Sequence, residues 1–312
     1  MQLLTTLQER YSSPRSDDPL ASRCLTYLMC PPDHFGIAYE INPWMDMANQ
    51  PDPDLVREQW FHLVSCLREA GAGVEFLTPV PSLPDGVFTA DIGLIDRNRF
   101  ITSCFRYAQR QPEAERGANW FRSQNYEVVG LPLGAGESLE SSDICPFGGI
   151  LLAGYGFRTT LSAHRAIARL VQNRVLSIEF IDPRLYHLDM CFCPLDDRRA
   201  LVTPAAWSRR SCKLVEQLVP EPVVLELDEA MTFCANSLVV GKTVIMPSCP
   251  PRVGRLLERW GFTICVTPVS EFLKAGGGVH CLTLDLQEHL SQTGGGRRSE
   301  RPRQGSEQMG KE

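Results

Sequence analysis

Long apolar runs and an excess of positive charge are both missing from this 312-residue sequence. A membrane-spanning helix needs about 18 consecutive apolar residues, and no segment comes near that length. The N-terminal segment MQLLTTLQERYSSPRSDDPL mixes charges and has no apolar core, unlike a secretion signal. The 31 Lys and Arg against 37 Asp and Glu give a net charge of -6, which repels nucleic-acid phosphates. We therefore expect a cytoplasmic protein with neither a membrane nor a nucleic acid as partner.

Motifs for metals and nucleotide cofactors are missing as well. The chain has 12 cysteines, but no pair has the CxxC spacing of zinc sites. Several of them lie in apolar runs, where a reduced thiol behaves as a small hydrophobic side chain. No strand-like run is followed by GxGxxG, and the fragment LGAGES lacks the lysine of a phosphate-binding loop. The sequence therefore predicts reduced thiols, no metal and no cofactor.

What is present is a helix-like segment followed by a strand-like segment, repeated five times. The helix-like segments are DPDLVREQWFHLVSCLREAG, PEAERGANWFRSQN, TLSAHRAIARLVQNR, WSRRSCKLVEQLV and PRVGRLLERWG. The first is the clearest, with Asp52 as the N-cap, Pro53 in the first turn and Gly71 after the last turn. Its apolar residues recur with helical spacing, which predicts one buried face.

After each pair comes a loop, and then a polar residue opens a new β-like run. These residues are Asp91, Glu140, His187, Asn236 and Cys281, at intervals of 49, 47, 49 and 45 positions. A near-constant interval indicates repeated supersecondary units. Pairing of the N-terminal run CLTYLMCP with the C-terminal run CLTLDL would close a ring of five units. The alternative is a doubly wound sheet in which the spacing is coincidental.

If the ring forms, the polar residues converge on its centre, as an active site requires. The centre would hold Cys281, His187, Glu140, Asp91 and Asp189. On an apparent strand, His187 and Asp189 are two residues apart and should share a face. The adjacent His280 and Cys281 should face opposite ways. We therefore expect His187 to be the partner of a nucleophilic Cys281 thiol.

The surplus of carboxylates indicates the charge of the substrate. Several acids around one thiol raise its pKa, unless a cation occupies the site. A planar guanidinium meets this need, because carboxylates bind its N–H groups in pairs while its charge lowers the thiol pKa. The residues themselves therefore predict a guanidine or amidine substrate.

The sequence resembles the pentein superfamily of guanidine-modifying enzymes. The motifs that carry the resemblance are LMCPPDHFGIAYEINPW, FTADIGLI, LESSD, GYGFRTT, YHLDMCFCPL and KAGGGVHCLTL. The resemblance implies an α/β fold, a five-bladed propeller with pseudo-fivefold symmetry, formed by a single catalytic domain over residues 21–290. Residues 1–20 and 291–312 have the composition of disordered extensions. Exposed helices of such a ring offer a surface for a homodimer.

The resemblance also implies roles for individual residues. Cys281 matches the nucleophile and His187 the general acid and base. Glu140, in ESSD, matches the catalytic glutamate of the family's EGGD-like motif. Residues that match substrate-binding positions are Asp91, Asp189, Arg110, Asn42 and Arg158, with Arg110 expected to bind the substrate carboxylate. The implied substrate is arginine or a methylated arginine, cleaved to citrulline and ammonia or amine through a covalent Cys281 intermediate.

Two departures from the family pattern bear on the reaction. Ser141 and Ser142 replace glycines, and Asp91 stands where the arginine dihydrolase branch, whose motif wording recurs in this sequence, usually has Asn. An additional carboxylate favours a cationic guanidinium over neutral citrulline, so we expect one hydrolysis rather than two. The alternatives are a dihydrolase that yields ornithine, an amidinotransferase that passes the amidino group to an amine, and a non-catalytic binding protein.

Overall fold

The computed structural model describes residues 25–287 and 290, and these form five three-stranded sheets. The predicted disordered extensions, 1–20 and 291–312, lie outside the described residues. The strands are β1 Thr26–Met29, β2 Gly73–Phe76, β3 Gly93–Asp96, β4 Arg99–Thr102, β5 Glu127–Gly130, β6 Ile144–Phe147, β7 Ile150–Tyr155, β8 Val175–Glu179, β9 Phe192–Pro194, β10 Arg199–Val202, β11 Glu221–Val224, β12 Leu238–Val240, β13 Thr243–Met246, β14 Thr263–Val266 and β15 Leu284–Asp285.

The helices connect the second and third strand of each sheet or lie in the loops. They are α1 Pro53–Glu69, α2 Gln111–Ser123, α3 Leu161–Val171, α4 Arg209–Leu218, α5 Leu227–Ala230, α6 Pro251–Arg259 and α7 Ser270–Leu273. No helix in the described part of the chain is long and apolar enough to cross a membrane.

Every sheet repeats one pairing pattern. The first and second strands are antiparallel, as in β3 with β4, and the third is parallel to the second, as in β4 with β5. A helix spans the parallel crossover, as parallel pairs require. In the first sheet the outer antiparallel strand is β15, from the far end of the described chain, with Tyr27 opposite Asp285. This pairing closes the ring, so the predicted five-bladed α/β propeller is confirmed and the doubly wound alternative is wrong.

Helix α1 shows how the local sequence builds a blade. The Asp52 side chain accepts hydrogen bonds from the backbone N–H groups of Asp54 and Leu55, which caps the helix start. The residue after the helical C-cap, Gly71, has a φ of 93°, which favours glycine. Trp60 is fully buried, and its ring centroid lies 5.6 Å from that of Phe76 on β2. The apolar face therefore packs the helix against its own sheet, as predicted.

The polar residues at the repeat positions lie in turns, or directly before them, rather than in strands. Short 3-10 turns at Thr89–Asp91, Ser141–Asp143 and Leu188–Met190 precede the first strands of three successive blades. The first of these turns contacts the second, and the second contacts the third. The backbone N–H of Ala90 also donates to the Cys281 carbonyl, at 3.2 Å. The blades therefore bring their polar turns together at the ring centre.

Candidate active site

A cavity at the ring centre collects most of the predicted site residues. It is lined by Asn42, Asp91, Arg110, Arg158, His187 and Cys281, and also by Asp85, Tyr186, Gly276 and Gly277. The two remaining predicted residues lie beside this cavity. Glu140 is bonded to His187, and Asp189 is bonded to Cys281. The structure thus brings all eight together.

His187 is held between carboxylates. Its Nε2 lies 3.0 Å from Glu140 Oε2, and its Nδ1 lies 3.7 Å from Asp91 Oδ1. Burial alone would lower the pKa of His187, but the neighbouring carboxylates of Asp143, Glu140 and Asp91 raise it to about 9. The imidazole is therefore protonated near neutral pH and can act as a general acid.

Glu140 is fixed as an anion by its partners. Arg158 Nη1 donates to Glu140 Oε2 at 2.9 Å, and the backbone N–H of Arg106 donates to Oε1 at 3.1 Å. Burial would raise the pKa of Glu140, but Arg158 and His187 hold it below its ordinary value. Glu140 therefore orients the imidazole and stabilises its charge, while Arg158 acts on Glu140.

Cys281 is a buried thiol with two polar contacts. Its Sγ donates to Asp189 Oδ2 at 3.2 Å and accepts from Asn236 Nδ2 at 3.1 Å. Burial, followed by the charges of Asp189 and Asp91, raises the pKa of Cys281 well above its ordinary value. The thiol is therefore protonated while no cation is bound beside it.

Two expectations based on strand geometry are wrong. Residues 279–282 form a turn, and His280 Nδ1 lies 3.0 Å from Asp189 Oδ2, the same oxygen that accepts from Cys281. His280 and Cys281 therefore do not face opposite ways. His187 precedes a 3-10 turn and Asp189 lies within it, so they do not share a strand face, and their side chains contact different partners. The alternation of side chains applies only to extended backbone.

Asp91 and Arg110 form a buried ion pair. Arg110 Nη1 donates to Asp91 Oδ2 at 2.7 Å, and Arg110 Nη2 donates to Glu113 Oε2 at 2.7 Å. Burial raises the pKa of Glu113, and although Arg110 opposes this effect the pKa is about 7. Two carboxylates thus set the position of the Arg110 guanidinium at the cavity wall.

Asp85 is a cavity carboxylate that sequence reasoning missed. Tyr39 donates to its Oδ2 at 3.0 Å, whereas its buried Oδ1 has no hydrogen-bond partner among the described residues. Burial raises the pKa of Asp85. The sequence feature that could have identified Asp85 is its position six residues before Asp91 in the run PDGVFTAD, which places both acids in the same loop segment.

The loop that ends in Cys281 is fixed by close packing. Asn42 Nδ2 donates to the Ala275 carbonyl at 3.0 Å, and the Tyr186 hydroxyl donates to the Gly276 carbonyl at 2.8 Å. A Cβ on Gly277 would lie 2.2 Å from the Phe88 ring. Tyr186 was also missed from the sequence, although it directly precedes His187. These contacts set the position of the turn that ends in Cys281.

Among the described residues, no group of three or more His, Cys, Asp or Glu side chains could hold a metal ion. The chemistry available at the cavity is that of a thiol, an imidazolium and several carboxylates. That set can form a covalent bond through sulfur and move protons at a cationic substrate. The fold and the site together define a class, the cysteine-dependent enzymes built as five-bladed α/β propellers.

Comparison with known proteins identifies the family. No family model matches the chain. The chain is 39% identical, over 85% of its length, to the bifunctional arginine dihydrolase/ornithine cyclodeaminase AgrE of Nostoc sp., but spans 38% of that protein. It is 34% identical to the N(G),N(G)-dimethylarginine dimethylaminohydrolase of Mycobacterium tuberculosis, covering 89% of this chain and 90% of the relative.

A solved structure agrees with these relatives. The N-terminal domain of the cyanobacterial arginine dihydrolase ArgZ, with product bound, superposes with a TM-score of 0.82 at 35% identity, covering 86% of this chain and 99% of that domain. The chain therefore belongs to the pentein superfamily of guanidine-modifying enzymes.

Proposed function

We propose that this protein is a hydrolase of linear amidines that cleaves a guanidino C–N bond of arginine or of a methylated arginine. The products are citrulline and ammonia, or citrulline and an amine. The main support is that the Cys281 thiol, the protonated His187 and the Asp91 carboxylate line one cavity, with Asp189 hydrogen-bonded to Cys281 beside it. The names of the relatives, an arginine dihydrolase and a dimethylarginine dimethylaminohydrolase, support this substrate class.

The charges around the cavity suit a substrate with a cationic group at each end and one anionic group. Asp91 and Asp189 would bind the guanidinium beside Cys281, because Asp189 Oδ1 is buried and has no partner among the described residues. Arg110 would bind the substrate carboxylate. The unpartnered Oδ1 of Asp85 would accept from the substrate ammonium group. Asn42 would contact the substrate from the cavity wall, and its hydrogen bond to the Ala275 carbonyl also holds the Cys281 loop in place.

The first half of the reaction forms a bond to sulfur. The bound cation lowers the pKa of Cys281, and the thiol proton leaves through Asp189 Oδ2, which it already contacts. The thiolate attacks the guanidinium carbon, and the imidazolium of His187 donates a proton to the departing nitrogen. The C–N bond breaks, ammonia or an amine leaves, and the carbon stays attached to Cys281.

The second half of the reaction returns the enzyme to its starting state. His187, now neutral, takes a proton from a water molecule that attacks the same carbon. The C–S bond breaks, the Cys281 sulfur takes back the proton held by Asp189 Oδ2, and the added hydroxyl loses its proton to solvent to become the ureido oxygen. The product carries a ureido group, and His187 is again protonated beside Glu140. Arg158 supports both halves by holding Glu140 as an anion.

Two alternatives share the first half-reaction. A dihydrolase would attack citrulline a second time and release ornithine, which the name of the bifunctional relative favours. Against it, Asp91 presents a carboxylate where binding of a neutral ureido group needs a donor. An amidinotransferase would transfer the amidino group from Cys281 to an acceptor amine instead of water.

The test is product analysis by mass spectrometry, with arginine and asymmetric dimethylarginine supplied separately. Citrulline from either substrate supports the proposal, and Cys281→Ala serves as the control without a nucleophile. Ornithine as the final product would replace the single hydrolysis with the dihydrolase reaction. If product forms only when glycine or ornithine is added as acceptor, the protein is an amidinotransferase.

We also propose that residues 21–290 act as one catalytic domain in the cytoplasm. The support for this compartment is that the eleven cysteines within the described residues are all free thiols. A homodimer formed through the outer helices stays a prediction, and the mass of the purified protein in solution tests it.

A further inference from the structure

Ser142 contacts the carboxylate that is proposed to bind the guanidinium. Its hydroxyl donates to Asp91 Oδ1, while Arg110 Nη1 donates to Asp91 Oδ2 at 2.7 Å. Ser142 and Asp91 are each 3% exposed, so water competes little for this carboxylate. Each Asp91 oxygen therefore has a donor of its own, and the orientation of the carboxylate plane is fixed.

The neighbouring serine has a different role. Ser141 donates to the Ala90 carbonyl at 2.5 Å, and its backbone N–H donates to Ser103 Oγ at 3.1 Å. These contacts join two turns and do not reach the Asp91 side chain. The two serines that replace family glycines are therefore separable, because only Ser142 acts on the carboxylate. A glycine in place of Ser142 would supply no donor.

A donor fixed on one side of a carboxylate affects which ligands it accepts. Hydrogen bonds to the ionised form stabilise it as an anion, which pairs with guanidinium N–H groups. The neutral ureido group of citrulline presents an oxygen where the guanidinium presents N–H groups. Two acceptors then face each other in a buried site without a proton between them, which disfavours binding.

We propose that Ser142 is a positioning residue that makes Asp91 select a cationic guanidino group over a neutral ureido group. This inference rests on the proposed function. It accounts for a single hydrolysis, because citrulline, once formed, is bound too weakly for a second attack. Ser142 acts only through Asp91 and touches no reacting atom.

The test is calorimetric binding of arginine and citrulline in a Cys281→Ala background, where neither ligand turns over. We expect Ser142→Ala to weaken arginine binding by about tenfold and to change citrulline binding by less than about twofold. The matched control, Ser141→Ala, should leave the ratio of the two affinities unchanged. In an Asp91→Asn background, Ser142→Ala should have no selective effect, because the group it acts on is gone.

The outcomes separate this inference from the proposed function. Equal weakening of both ligands by Ser142→Ala, or an unchanged ratio, overturns the inference alone. If the Cys281→Ala parent binds neither arginine nor asymmetric dimethylarginine, the proposed function and the inference both fail; if it binds only the methylated form, that ligand replaces arginine in the comparison. Thermal unfolding of each variant identifies a loss of folding, and a folded Ser142→Gly protein then repeats the comparison.

A separate observation concerns two thiols that do not line the cavity. Cys66 on helix α1 and Cys265 on strand β14 have their sulfur atoms 2.9 Å apart, although they lie in the first and fifth blades. A second contact, a hydrogen bond, also holds helix α1 in position. Gln59 Nε2 on α1 donates to Ser270 Oγ on α7, the helix that follows β14, at 2.8 Å.

We infer that Cys66 and Cys265 form a disulfide when the protein meets a peroxide. The thiol of Cys265 reduces hydrogen peroxide to water and becomes a sulfenic acid. The Cys66 thiol then attacks this sulfur, a second water leaves, and the S–S bond joins α1 to β14. Peroxide gains the two electrons that the pair of thiols loses.

Peptide mapping after peroxide treatment tests this inference. We expect a cross-linked peptide pair containing Cys66 and Cys265, lighter by two hydrogens than the two separate peptides, which reappear after reduction. Cys212 is a control, because it contacts backbone carbonyls rather than a second thiol and should form no such pair. The inference is overturned if both thiols can still be alkylated after peroxide treatment, or if Cys265→Ser gives the same cross-link mass.

Discussion

Replacing Glu140 by Gln tests the central proton-transfer pair. The substitution keeps the size of the side chain but removes the negative charge that lies 3.0 Å from His187 Nε2. It also leaves the Arg158 guanidinium, now unpaired, close to the imidazole. Both changes disfavour the protonated imidazole, so the pKa of His187 falls from its value of about 9 toward its ordinary 6.5.

The magnitude follows from the number of carboxylates involved. Asp143, Glu140 and Asp91 together raise the pKa of His187 against the effect of burial. With one of them lost, we expect the basic limb of kcat/KM to move down by about 1 to 2 pH units. The sign is fixed, because the reaction needs His187 protonated at the start. Activity of the variant is therefore lost at a lower pH than activity of the natural protein.

The assay is citrulline formation across a range of pH for both proteins. At pH 8 the variant should have about two- to tenfold fewer molecules with a protonated imidazole, in addition to any loss of orientation. The control is Glu137→Gln, since Glu137 is a partly exposed acid in the same segment that contacts Gly134 rather than His187. A basic limb at the same pH in Glu140→Gln and the natural protein would refute the assignment.

Three further outcomes are expected. Cys281→Ala should lower turnover to below about one part in a thousand of the natural rate, while calorimetry still detects arginine binding. Retained turnover would show that Cys281 is not the nucleophile. Gly277→Ala should lower the free energy of unfolding by about 1–3 kcal/mol, because a Cβ would meet the Phe88 ring, and an unchanged melting temperature would contradict this. Arg110→Lys should raise KM for arginine by about tenfold or more, since a lysine cannot bond the two flanking carboxylates as a fork does; an unchanged KM would mean that Arg110 does not contact the substrate.

The sequence was informative about the architecture because the repeat leaves a regular pattern. Five helix–strand pairs at a near-constant interval give the number of blades, and the two unpaired terminal runs predict the closure that β15 and β1 make. Convergence of Cys281, His187 and Asp91 follows from the same repeat, since equivalent positions in a ring lie near its axis.

The local geometry of the site was harder to predict, for a physical reason. The runs around His187 and Cys281 have strand-like composition, but tight turns precede the strands, so side-chain alternation fails there. The contact of His280 with Asp189 comes from this turn. Asp85 and Tyr186 were missed because their roles depend on contacts between segments that are distant in the chain.

The most direct test of the central claim compares the natural protein with Cys281→Ala in water labelled with heavy oxygen, with arginine as substrate. If Cys281 carries the carbon and water releases it, the natural protein should yield citrulline with one labelled ureido oxygen, and the variant should yield none. Citrulline formed by the variant at a rate close to that of the natural protein would contradict the account.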